Sequence, residues 1–380
     1  MRCTGEAAAG IWRREMRDLD GMRRDADAWD ALERAPLSPN PFYSRNAMEA
    51  FALSGAAWRP DLRFACIFHA DRLVALLPVA PRAAICGWRR ATAAYASPFT
   101  TLSTPLVARD APAGWADELL ASILGNAPGS CLVMPRLAIE TTAGAAMLEA
   151  ARRSRAAHRL FDAFARPVAT PAQDYAAFAQ RAYGKSRRKS LRRLRNGLAA
   201  LGVVSADALV SGFAEAVENF LALERSGWKG RRGTSLADDP NATAMARTLF
   251  SDAAAPGARR IDRLLLDGRP VAMSMSLVQD GVAVLWKTAF DESLRRFAPG
   301  IVLEDEIVAR LHEEPGLRRL DSCATGPTAL DDLYDERETI ADLVICSAQA
   351  GAARLAVEAA RRRARRLARN LRARLRWRPG

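Results

Sequence analysis

Histidine is almost missing from this 380-residue chain. Its three residues, His69, His158 and His312, are too scattered to build a metal cluster. Aromatic residues make up only 7%. Cysteine is sparse too. The six cysteines, at 3, 66, 86, 131, 323 and 346, contain no CxxC and fit neither a zinc site nor a disulfide framework. They read as reduced, mostly buried thiols, and a cytoplasmic protein is expected. No apolar run approaches the roughly 18–20 residues that span a bilayer. The best candidate, Leu73 to Ile85, is cut by Pro78, Pro81 and Arg82. The N-terminus mixes Arg and Asp without an apolar stretch, so no secretory signal is expected. Residues 1–25 show no foldable pattern, which makes them disordered or places the true start at Met22. Gly184-Lys185-Ser186 looks like the end of a phosphate loop, but Ala179 stands where the upstream glycine is required and no strand leads in. Neither G-x-S-x-G nor HExxH occurs. No metal, no essential cysteine and no nucleotide hydrolysis are expected.

What is present is basic charge, unevenly placed. Of the net +13, residues 352–380 supply +10, from eleven arginines and the single acid Glu358. About +3 is left for the other residues, so the high pI describes an appendage. Ala360, Ala364, Leu367, Leu371 and Leu375 recur at helical spacing, with arginines between them and Trp377 at the end. Residues 352–378 therefore read as a basic amphipathic helix suited to an anionic membrane surface. RNA binding and a disordered basic tail are the alternatives; nucleic acid is the less favoured partner because aromatics are not interleaved. A second basic run, residues 181–195, has eight Lys or Arg and no acid. It reads as a solvated helix face or an anion-contacting one.

The remaining pattern is α+β. Helical spacing covers 26–60, 115–124, 174–202, 211–225 and 241–252. Residues 62–80 form a hairpin about Ala70-Asp71-Arg72, and 102–108 and 131–137 read as strands. Pro167 and Pro171 mark a linker near 165–172. Beyond it, Asp267-Gly268 and Asp280-Gly281 join three apolar strands into a meander. In the second strand Val271, Met273, Met275 and Leu277 share a face opposite Ser274 and Ser276. In the third, Lys287 and Asp291 are expected on one face. A basic loop then leads into Ala298-Pro299-Gly300, where a helix starts, and a short strand ends at Asp321.

That order suits transfer of an acyl group from a thioester to an amine. A helix N-terminus offers amides and a positive dipole end to a pyrophosphate. Gly300 admits close backbone approach, Pro299 has no N–H to waste, and Arg295 and Arg296 add charge. An extended donor arm can pair with an exposed strand edge, and a strand amide can hold the oxyanion. The amine must lose a proton, so a carboxylate or a water relay is needed. Lys287, Asp291 and Asp321 read as a base and a cation beside the thioester, or as a structural ion-pair network. Tyr334 is a candidate proton donor to the leaving thiolate. Trp228 and Lys229 line an acceptor cleft, or Trp228 belongs to the core. Arg337 binds phosphate or caps a strand.

Several blocks in order carry a resemblance. They are Trp29, Asn40-Pro41-Phe42 and Leu76-Leu77-Pro78, then KSRRKSLRRLRN (185–196), ERSGWKGRRGTSL (224–236), LDGRPVAMSMSL (266–277), WKTAFDESLRRFAPGIVLEDEI (286–307) and DSCATGPTALDDLYDERETI (321–340). Over about residues 26–346 the chain resembles GNAT-fold acetyltransferases of the cellulose-biosynthesis (CelD-like) type, related to Fem-type transferases by a duplicated GNAT fold. Ala298 stands where the family often has Ser, and Tyr334 where it often has Trp. The resemblance implies two mixed sheets flanked by helices: an N-terminal half, 26–166, that walls the acceptor site, and an acyl-CoA-binding half, 172–346. It places Arg295, Arg296, Ala298, Pro299, Gly300 and Ile301 on the acyl-CoA. It implies an acyl-CoA-dependent N-acyltransferase acting on a small-molecule or saccharide amine in exopolysaccharide or envelope metabolism. The alternatives are a Fem-type aminoacyl-tRNA-dependent transferase and a non-catalytic membrane-tethered scaffold.

Overall fold

The computed structural model describes residues 11–82, 91–125, 130–252, 257–348 and 351–376. Cys3, Cys86 and Trp377 lie outside these, as do residues 1–10 and 378 of the segments discussed above. The strands are β1 (Trp12–Arg17), β2 (Arg63–His69), β3 (Arg72–Arg82), β4 (Ala91–Ala94), β5 (Leu106–Val107), β6 (Cys131–Ala138), β7 (Ala157–Ala169), β8 (Val204–Leu209), β9 (Arg259–Leu266), β10 (Arg269–Gln279), β11 (Val282–Phe290), β12 (Arg319–Asp321) and β13 (Glu336–Cys346). All thirteen belong to one sheet, ordered β1-β2-β3-β4-β6-β13-β7-β12-β11-β10-β9-β8, with β5 on β3. The two sheets expected from the sequence are thus joined into one. The pairs β4–β6 and β11–β12 are parallel, and the other pairs are antiparallel.

The order reads the same from both ends. Each half runs strand, helices, three-strand meander, helix, parallel strand, final strand. The final strands are exchanged: β13 from the C-terminal half pairs with β6, and β7 from the N-terminal half pairs with β12. Between them β7 and β13 form the long central ladder. The linker expected at 165–172 is therefore corrected. Residues 165–169 are the buried end of a central strand, and Arg166 is fully buried. Pro167 has no N–H to give the ladder, but its carbonyl accepts the Ser322 amide at 3.2 Å just past the end of β12.

The expected turns form. Asp267-Gly268 (φ 50° and 77°) and Asp280-Gly281 (φ 48° and 73°) adopt the left-handed pair that a two-residue hairpin demands. Ala70 and Asp71 do the same at the β2–β3 hairpin. The expected helix 174–202 is two helices, Tyr175–Ala182 and Lys185–Ala199, broken at extended Tyr183 and Gly184. Residues 11–25 are ordered, contrary to expectation. β1 adds to the sheet edge, the helix Leu19–Arg24 follows, and Met22 is fully buried. Cys131 and Cys346 are not free thiols. They face each other across β6–β13 with Cα atoms 4.1 Å apart and form a disulfide.

The C-terminal helix Gly351–Arg376 is only partly an appendage. Its first turns close over the sheet: Leu355 packs with Val133, Phe161, Val344 and the disulfide. Arg362 is nearly buried among Asp162, Asp342 and Glu358, with contacts of 2.6–2.8 Å. Arg366 also pairs with Asp162. Burial opposes the Asp162 charge, but hydrogen bonds from Arg366 and Arg362 win and hold its carboxyl below the usual range. Beyond that point Leu367 is 62% exposed. Among the described residues no helix is long and apolar enough to cross a membrane.

Candidate active site

β11 and β12 pair only from Val282 to Val284. Past that point they diverge, leaving the β11 edge from Leu285 to Phe290 beside an open cleft of about 770 Å³. A mouth of this size suits an extended organic ligand. In the N-terminal half β4 and β6 diverge in the same way after Ala93–Val133. There the long connection to the helix Trp115–Leu124 folds back into the gap: the Ser103 amide bonds to the Arg136 carbonyl, and the Ala138 amide bonds to Thr104. The matching connection in the C-terminal half is the short 3-10 segment Glu292–Phe297, so its gap stays open. A separate groove of about 650 Å³ beside the C-terminal helix is walled by Arg362, Arg366 and Asp162, which are paired with one another.

One end of the cleft is the N-terminus of the helix Pro299–Glu313. Ala298 caps it in the left-handed region (φ 44°), a conformation that costs an alanine about 1 kcal/mol. Pro299 has no amide hydrogen, and the Ile301 and Val302 amides bend back to the Ala298 carbonyl at 2.9 and 3.1 Å. Gly300 is left with its amide outside that bonding. Arg295, Ala298, Gly300 and Ile301 line the cleft. A Cβ on Gly300 would reach Phe290 at an ordinary 3.6 Å, so the protein itself does not require glycine here. The open side faces the cleft. Arg296 instead stacks on Phe297.

The floor holds Glu304, which the sequence reading missed. The residue is 5% exposed, and its carboxyl accepts the Tyr334 hydroxyl at 3.2 Å and lies 3.5 Å from the Ser274 hydroxyl. Burial, reinforced by nearby Asp262, raises its pKa to about 7. The signal was available: Gly300, Glu304, Ile307, Val308 and Leu311 share one helix face, which made Glu304 the acid on an otherwise apolar stripe. Tyr334 does not reach the cleft. Burial and Glu304 push its phenol well above the usual range, so it acts on the cleft only through that carboxyl.

At the opposite end the N-terminal half supplies a wall. Thr101 lines the cleft, and the Phe99 carbonyl accepts Trp286 Nε1 at 3.1 Å. Arg166 fastens this wall to the C-terminal half. It donates to the carbonyls of Thr101 and Ala324, both at 3.0 Å, and pairs with Asp321 at 3.4 Å. Asp321 is thus buried behind the site, where it also holds the Cys323 amide at 2.7 Å. Burial pushes the Cys323 thiol, beside Thr101, up to about 11.

Lys287 and Lys229 both line this end. Lys229 bonds to Glu224 at 2.7 Å. Lys287 and Asp291 do not share a face as expected, because β11 ends at Phe290. Asp291 turns away to cap Glu292–Phe297 and pairs with Arg269 at 3.2 Å. Trp228 is neither core nor cleft. It is 46% exposed under Arg232, and its amide holds Glu292. Arg337 clamps the 331–336 loop through the carbonyls of Asp331, Tyr334 and Glu336, and does not line the cleft.

Residues 185–336 match the family described as Acetyltransferase (GNAT) domain. No curated protein matches the chain. Among solved structures, a conserved protein of unknown function from Bacteroides thetaiotaomicron VPI-5482 is 14% identical, with 89% of this chain and 99% of that one covered and a TM-score of 0.53. The C-terminal domain (DUF2156) of a candidate lysylphosphatidylglycerol synthetase from Agrobacterium fabrum is 13% identical, covering 88% and 95%, with a TM-score of 0.53. FemX is 10% identical, covering 83% and 95%, with a TM-score of 0.52. The chain therefore has a GNAT-like α+β fold, a mixed sheet flanked by helices, and the segment that builds most of the cleft matches the GNAT acetyltransferase domain.

Proposed function

We propose that the protein is an acyl-CoA-dependent N-acyltransferase. The observation that carries this reading is the open gap between β11 and β12, with Gly300 at one end, Glu304 in its floor and Lys287 at the other. The pyrophosphate sits at the Gly300 amide and Arg295, and the pantetheine arm runs along the unpaired β11 edge. The acceptor amine enters past Thr101. Its nitrogen attacks the thioester carbonyl carbon, a β11 amide holds the oxyanion, and the C–S bond breaks. Glu304 takes the proton lost by the amine and then returns it to the departing thiolate, which leaves as the thiol. Tyr334 and Ser274 position Glu304. The role in exopolysaccharide or envelope metabolism follows the CelD-like resemblance. The distal turns of the C-terminal helix, whose sequence is rich in arginine, attach to an anionic membrane surface by charge complementarity.

Gly300→Asp tests the donor site. It places a carboxylate where the phosphates lie, and calorimetry should show at least tenfold weaker acetyl-CoA binding with unchanged circular dichroism. Equal affinity would refute the assignment.

A second reading, a Fem-type aminoacyl-tRNA-dependent transferase, is favoured by one surface. On the helix Lys185–Ala199, which packs against the helix Pro299–Glu313, the exposed Lys185, Lys189, Arg192 and Arg193 have no carboxylate partner among the described residues. Tight tRNA binding without acetyl-CoA binding would favour it.

A further inference from the structure

The acceptor end of the cleft holds one cation too many. Lys229 is neutralised by Glu224, whose other oxygen takes the Leu236 amide at 2.7 Å. Arg166 is neutralised by Asp321. Glu304 faces Tyr334 and Ser274. Each carboxylate near this end is therefore committed. Lys287 has no carboxylate and no hydrogen-bond acceptor among the described residues. Its ammonium lies 5.5 Å from the Phe99 ring and 5.8 Å from the Trp286 ring. Burial, with Lys229 next, pulls its pKa down from the ordinary lysine value, while Glu224 opposes.

Two aromatic faces recover only a small part of what a cation gives up on leaving water. A cation held this way in the wall of a substrate cleft is incomplete until an anion arrives. We propose that Lys287 anchors an anionic group, a carboxylate or a phosphate, carried by the acceptor molecule that also bears the reacting amine. The assignment rests on the acyl-transfer reading for the amine, but the anion site stands without it. It also sorts acceptors. A neutral amine would leave Lys287 uncompensated, so charged amines should be preferred over neutral ones of the same shape.

The test has two arms on the full chain. In the first, acylation of Lys287 by N-hydroxysuccinimidyl acetate is followed by peptide mass spectrometry. Inorganic phosphate or succinate at 50 mM (roughly the range for a weak single-ion site) should slow it about threefold or more against sodium chloride of equal ionic strength. Succinamide should have no effect, and exposed Lys185 and Lys189 should be unmoved. Which anion protects distinguishes a phosphate from a carboxylate site; protection by neither overturns the proposal.

In the second arm CoA release from acetyl-CoA is compared for matched amines, phosphoethanolamine with ethanolamine and β-alanine with its amide. A charged member should be favoured tenfold or more in kcat/KM. Lys287→Met should erase that ratio through KM, and Lys287→Arg should keep most of it. Equal use of charged and neutral amines overturns the proposal. So does a Lys287→Met loss of equal size for both, which would mark Lys287 as a general base. If wild-type protein releases no CoA with any amine, the acyl-transfer reading is the one that falls, and the first arm alone decides the anion site.

Discussion

Glu304→Gln is expected to lower turnover by about 10²–10⁴-fold while making the protein more stable at alkaline pH. The two effects have one cause. Burial raises the carboxyl to about 7 in the folded chain, from the ordinary glutamate value of 4.5. Between these values the folded chain keeps a proton that the unfolded chain has released. Stability therefore falls as pH rises through that window and levels off above about 7. Glutamine cannot titrate, so the variant escapes the loss, which amounts to roughly 3 kcal/mol at pH 8. Urea unfolding at pH 5 and pH 8 measures the difference. In wild-type protein the rate should climb as pH passes through 7, because the proposed base acts as the carboxylate. A variant with normal turnover, or with no gain at pH 8, would remove Glu304 from the proposed chemistry.

Cutting the chain at two points should give opposite results. A chain ending at residue 350 loses Leu355 and exposes Val133, Phe161 and Val344. It also strips Arg362 from Asp162 and Asp342, leaving two carboxylates without their cation. Loss of about 3–5 kcal/mol is expected by denaturant unfolding. A chain ending at residue 366 keeps all of these contacts and should unfold within about 0.5 kcal/mol of the full chain. From sequence these residues read as an appendage, and the Arg362 cluster is the reason the shorter chain should lose stability. Only the 366 cut separates fold from attachment: it should retain acetyl-CoA binding and lose sedimentation with anionic vesicles at low salt. Vesicle binding that survives this cut would exclude the distal turns as the membrane contact.

The features legible in the sequence were those written locally. Asp267-Gly268 and Asp280-Gly281 specify their hairpins through backbone conformation alone, and Pro299-Gly300 marks a helix start by the same kind of rule. The central strand β7 was not legible. Its sequence AHRLFDAFARPVA alternates poorly, contains a proline and buries an arginine, because its partners come from both halves of the chain. Asp291 and Lys287 were separated by the end of β11, a boundary that periodicity does not fix. Glu304 was hidden inside Glu304-Asp305-Glu306, which looks like a solvated acidic patch. In fact Asp305 is also buried, accepting the Tyr175 hydroxyl at 2.6 Å. The pairing of Cys131 with Cys346 spans 215 residues, and nothing in cysteine spacing announces it.

The exchange of final strands has a consequence for synthesis on the ribosome. When residue 169 emerges, β6 lacks its outer neighbour and β7 has nothing to pair with, since β13 joins the two more than 160 residues later and the other edge of β7 waits for β12. The first half therefore waits with three open strand edges, one on β6 and two on β7, a state prone to pairing with other chains. At roughly 5–20 residues per second that wait lasts about 8–35 seconds. A chaperone that shelters strand edges should raise the yield of full-length protein more than that of a circular permutant beginning at β13, in which the missing strand is made first.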